Sequence, residues 1–116
     1  MLDLKAELNS IGIPFEPIGW VKAPGYPYGT FDDETDIRGT DLSSSAKVVN
    51  HSVTISLYHN DYDQLLSARD KLAAWADSRA LVYRLRIQYM DDEDHYGVTL
   101  TSTIVEKERM INNGSK

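Results

Sequence analysis

The chain has 116 residues, 41% of them hydrophobic and 26% charged, with no cysteine, and its 18 acidic against 12 basic residues give a formal net charge of -6. That length fits one small domain with a single core, and the net charge per residue is too low for a wholly disordered chain. The lack of cysteine excludes a disulfide framework, thiolate zinc sites and a cysteine nucleophile. The acidic balance argues against nonspecific binding to a phosphate backbone, which needs clustered Lys and Arg.

The amino terminus carries Asp3 and Glu7 and no basic patch ahead of an apolar run, unlike a signal peptide. No apolar stretch approaches the ~20 residues of a membrane span, so the expectation is a product that assembles in the cytoplasm. Leu4, Leu8 and Ile11 fall on one stripe of a short helix over about 2–11, which Gly12 and Pro14 stop. Pro14, Pro17, Gly19, Pro24, Gly25 and Pro27 then permit short extended pieces, such as 18–22, but no helix; this segment should lie along a sheet edge. Tyr26, Tyr28 and Phe31 mark a second extended stretch. It runs into the polar segment 32–45, read as a long functional loop that contains Asp32, Asp33, Glu34 and Asp36.

Residues 47–59 alternate with period two, His51, Val53, Ile55 and Leu57 on one side, and predict a strand with one core face and one wet face. Asp61 with Gln64 three residues on fits a capping box. It should open a helix over 62–77, whose stripe is Leu65, Ala68, Leu72, Trp75 and Ala76. Residues 81–89 alternate again, with Leu81, Tyr83, Leu85, Ile87 and Tyr89 opposite Arg84 and Arg86. Asp91, Asp92, Glu93 and Asp94 form the following turn, and 97–106 returns as a hairpin partner through Val98, Leu100 and Ile104. The expectation is a single α+β domain over 1–106 and a flexible tail over 107–116. Its sheet should be antiparallel or mixed, of about four to five strands, with one long and one short helix packed on it.

Tests for chemistry return little. His51 and His59 share a strand face but stand roughly 26 Å apart, so they cannot share an ion within one chain, and a packed or edge imidazole is the plain reading. The two acidic clusters could hold calcium, yet neither has the spacing of an EF-hand, and solvated loops explain them. No carboxylate lies where burial would tune it as an acid or base, Ser43, Ser44 and Ser45 form no nucleophile elbow, and the glycines match no phosphate-binding fingerprint. The chain is therefore read as no enzyme, with no cofactor and no metal. Tyr26, Tyr28 and Phe31 could stack on nucleic acid, but the acids that follow would repel it, and packing on a helix or a neighbouring subunit fits better. Arg84 and Arg86 make either a solvated, cross-strand-paired face or a basic strip that meets the acidic segment of another copy.

The order of elements carries a resemblance. A short helix ends in Ile11-Gly12-Ile13-Pro14-Phe15, the edge segment reads Pro24-Gly25-Tyr26-Pro27-Tyr28-Gly29-Thr30-Phe31, and an acidic stretch precedes the central strand at 49–59. Asp61-Tyr62-Asp63-Gln64-Leu65 opens the long helix, and a hairpin closes the domain. In this the chain resembles the tail-completion, or tail-terminator (head-tail joining), proteins of long-tailed bacteriophages. The resemblance implies a virion protein that forms a ring, usually of six copies, at the head-proximal end of the tail. There it stops tail-tube polymerisation and offers a surface to the head connector or adaptor. Partners would be further copies, the tail-tube protein and the connector, with no membrane, and DNA would pass without specific binding. A closed ring needs two different complementary patches on one chain; the acidic segment and the Arg84/Arg86 strip are the candidates, with Tyr26, Tyr28 and Phe31 expected at the interface. Some of Asp32, Asp33, Glu34, Asp36, Asp91, Asp92, Glu93 and Asp94 would face the bore, where negative charge repels phosphate. The alternatives are another neck, head-completion or tube subunit of the same machine, or an acidic DNA mimic that blocks a basic groove.

Overall fold

A computed structural model describes residues 3–17, 25–39, 46–90 and 95–109. The extended piece expected at 18–22, the serine run 43–45, the turn residues Asp91, Asp92, Glu93 and Asp94, and positions 110–116 lie outside them. The elements run α1 (Leu4–Asn9), β1 (Phe15–Pro17), β2 (Tyr28–Gly39), β3 (Ala46–His59), α2 (Tyr62–Ser78), β4 (Tyr83–Met90) and β5 (His95–Arg109). They build one mixed sheet of five strands in the order β1-β2-β3-β5-β4, in which β1 lies parallel to β2 and every other pair is antiparallel. The α+β expectation holds. The strands β3 and β4, joined through α2, run parallel with β5 inserted between them, so the crossover lays α2 on one sheet face.

That face is the core. Phe31, Val53, Ile55, Leu57, Val98, Leu100 and Ile104 point into it from the sheet, and Leu65, Ala68, Leu72, Trp75 and Ala76 meet them from the helix stripe read in the sequence. Leu4 and Leu8 of α1 and Phe15 of β1 close one side. Each such large side chain removed from water contributes about 1.5–3 kcal/mol.

The segment 32–45 was expected to be a loop, and its first eight residues are strand. β2 pairs with β3 without a break from Tyr28↔Tyr58 to Gly39↔Lys47. Asp and Glu are poor strand formers, but the ladder of a neighbouring strand overrides a propensity worth ~1 kcal/mol per residue. β5 likewise runs to Arg109, three residues past the expected end at Glu106, because 46–48 of β3 pair with it.

Two local devices set the edges. The Asn9 side chain accepts from the Phe15 amide (2.9 Å) and donates to the Phe15 carbonyl (3.0 Å), so the outer side of β1 is already hydrogen-bonded. At the start of α2, the Asp61 carboxylate accepts from the Gln64 amide (3.1 Å), which is half of the expected capping box. The other half is not made by Gln64: the Asp61 amide donates to His59 Nδ1 (3.1 Å).

The link from α2 to β4 holds no glycine, and Ala80 turns it by adopting φ 56°, with Leu81 donating to the Ala76 carbonyl (3.0 Å) in the usual C-terminal wrap. A methyl group in that left-handed conformation is strained. Ala80→Gly should raise stability by about 0.5–1 kcal/mol, after the looser unfolded chain is set against the relieved strain. Urea midpoints of the two proteins check this.

Candidate assembly interface

Alternation divides the sheet. Odd-numbered residues of β2 and β3 face the helices, while the even ones form an open face that no helix of the described residues covers. On this face the registers line up rows across four strands: Asp32–Thr54–Thr101–Arg84, and Thr30–Ser56–Thr99–Arg86. Glu34 and Asp36 extend the acidic side beside Ser52 and Asn50. The face is thus a band of Ser and Thr with carboxylates along β2 and arginines along β4. Three strand spacings of ~4.8 Å hold the two signs ~14 Å apart, too far to pair within one chain. The Arg84 and Arg86 side chains are exposed, line a shallow groove with Gln88, Thr99 and Thr101, and form no ion pair with a described residue. Of the acids on this face, Asp36 holds Arg38 (3.0 Å), and both are exposed.

The sites named from the sequence divide accordingly. Phe31 is 8% exposed and belongs to the core, so it is not available to a partner. The alternation that turns Tyr28 to the open face turns Phe31 away from it. Tyr26 and Tyr28 stack on each other (centroids 5.7 Å apart), Tyr28 packs on Tyr58 (5.2 Å), and the Tyr26 hydroxyl meets His95 Nδ1 (2.9 Å). Their ring faces are used by one another, which further weakens a base-stacking platform. Asp33 does not join Asp32 and Glu34. It faces the other way, toward His51.

His51 is the residue whose surroundings the sequence did not disclose. It is 5% exposed, in the core phase of β3. Its Nδ1 lies 3.0 Å from Asp33 Oδ2 on β2, and its Nε2 lies 2.6 Å from Glu106 Oε1 on β5. Each carboxylate sits one diagonal step from the residue directly opposite, since His51 pairs with Thr35 and with Ile104. Both ring nitrogens can donate to carboxylates only in the imidazolium form. Burial pulls this imidazole toward neutrality, yet the hydrogen bonds and charges of Glu106 and Asp33 outweigh it and hold its pKa above the ordinary 6.5. No Asp or Glu among the described residues is fully buried, as expected, but the Asp33 and Glu106 side chains are only 24% and 22% exposed.

The network continues into the helices. Glu7 of α1 accepts from Trp75 Nε1 (3.1 Å) and is clamped by the guanidinium of Arg79 at the end of α2. That hydrogen-bonded clamp holds the Glu7 carboxyl below its usual range, against the opposing effect of burial, and it holds Arg79 up, with the charge of Glu106 adding to the latter. The imidazolium thus fastens three strands, and the charge of Glu106, one of its carboxylates, also favours the charged form of Arg79. Among the described residues no group of three or more His, Cys, Asp or Glu could hold a metal ion.

No family model and no curated protein matches the chain. Among solved structures, a chain of the virion of a native gene transfer agent particle superposes with a TM-score of 0.52 over 86% of this chain and 84% of that one, at 15% identity. The protein therefore shares its fold with a component of a virion.

Proposed function

We propose that the protein is a structural component of a phage-type virion, a tail terminator that closes into a ring, of six copies by the resemblance, on the head-proximal end of the tail tube. The observation that carries this reading is the charge-divided open face, with acids along one side of the sheet and, along the other, arginines that no described residue pairs. A subunit built so is complementary to its own copy, and a heterologous contact of that kind generates a ring where its rotation closes and an open filament where it does not. The fold shared with a virion component supports the setting. With the helices outward, the open face turns to the bore, where Asp32, Glu34 and Asp36 offset the arginines of the same face, so that DNA phosphates find no net positive surface to grip. Tyr26 and Tyr28, at the end of that face, are assigned to contact with the tube protein or the head connector.

The test is assembly. The purified protein is examined by mass photometry and negative-stain imaging, then added in excess to polymerising tail-tube subunits. Closed rings and shortened tubes are expected. Long homopolymers would make the protein a tube subunit instead, and unchanged tube length at excess protein would overturn capping.

A further inference from the structure

We infer that copies join edge to edge, with β4 of one subunit adding to residues 32–37 of β2 in the next, so that the sheet runs on through the contact. The inference rests on the ring reading and specifies its interface. Four observations converge.

The first is which edge is open. β1 covers β2 only from Gly29 to Phe31, and the Asn9 amide closes β1 from outside, so among the described residues the outer side of β2 is unpaired from Asp32 onward. β4 is the opposite edge of the sheet. The second is direction. β2 and β4 are antiparallel within the chain, so copies turned about an axis along the strands present these edges to each other antiparallel.

The third is the phase of the backbone. The Gly29 amide donates outward to the Pro14 carbonyl (2.9 Å), so odd residues of β2 aim their amides and carbonyls out of the sheet and even ones aim at β3. Carried through the unbroken registers to β5 and β4, this alternation leaves the odd residues of β4 aimed outward too. Odd must therefore meet odd. The fourth is charge, which selects among the allowed registers. Setting Tyr83 opposite Ile37, Leu85 opposite Thr35 and Ile87 opposite Asp33 as hydrogen-bonded pairs puts Arg84 on Asp36 and Arg86 on Glu34. Those charged pairs fall at the positions without hydrogen bonds, where facing side chains stand closest. Ile37, 57% exposed in one chain, gains an apolar partner in Tyr83. A shift of two residues one way sets Arg84 against Arg38; the other way it carries Ile87 and the residues after it onto the stretch that β1 already covers, where the chosen register brings only the last two residues of β4, Tyr89 and Met90.

The absence of cysteine makes a clean test. A variant with Asp32→Cys and Gln88→Cys, a pair that leaves both ion pairs intact, is oxidised and run on a non-reducing gel. The expected result is a ladder of multimers that collapses on reduction, with none from either single variant. Adding Arg86→Glu should abolish the ladder, and adding Glu34→Arg to that chain should restore it. Rings seen by mass photometry without a ladder would overturn the edge pairing and leave the ring standing. A ladder of open chains that never close would support the pairing and sink the terminator. Neither rings nor ladder would remove both.

Discussion

His51→Ala should cost about 3 kcal/mol at pH 6, because it leaves the Asp33 and Glu106 carboxylates half-buried without the cation between them. The cost should depend on pH in a fixed direction. The folded-state pKa of His51 lies above its ordinary 6.5, so the stabilisation is fully present below 6.5 and is lost as pH rises through the folded value. Urea midpoints of wild type and variant, measured from pH 6 to pH 9, should therefore draw together as the imidazole of the wild type loses its proton. A gap that widens with pH would mean that the histidine is held neutral. Replacing all three residues by leucine should cost far less than His51→Ala alone, since apolar packing substitutes for a buried ion cluster once no charge is stranded.

Gly29→Ala should be of similar size. A Cβ at Gly29 would come within 2.1 Å of Phe15 Cε2, and the Phe15 ring is fully buried, so it cannot swing clear. Overpacking of this kind costs about 1–3 kcal/mol, and the upper end is expected because the obstacle is a rigid ring. Phe15→Ala alone should cost about 3–5 kcal/mol. The telling measurement is the double variant, whose stability should match Phe15→Ala and not the sum of the two. Additive losses would place the strain elsewhere than in the ring contact.

These residues also mark where the sequence could be read and where it could not. β3, β4 and the stripe of α2 were legible because each carries an apolar period on one face and polar residues on the other. β2 was not. Along 32–37 its core-phase residues are Asp33, Thr35 and Ile37 and its open-phase residues are all acids, so the alternation is real in space but nearly silent in hydropathy. Without the β2 ladder the clamp is invisible in the sequence, since Asp33 and Glu106 stand 18 and 55 positions from His51 and meet it only through the register of three strands. The signal on the page was a lone imidazole in the core phase of an apolar strand, which needs counter-charges from somewhere. Arg84 and Arg86, by contrast, could be placed on an open face from parity alone.

The cross-strand rows have a consequence for shape. Within one chain the row that begins at Asp32 ends at Arg84, whereas across the inferred contact Arg84 stands against Asp36 of the next copy. Each copy thus climbs four residues while it adds four strands. At ~3.3 Å per residue and ~4.8 Å per strand, that climb inclines the strands by roughly 35° to the axis, the slope at which a sheet can curl round and meet itself as a barrel. A tunnel wall of this pitch would be a single hydrogen-bonded surface, with the helices as its outer rind.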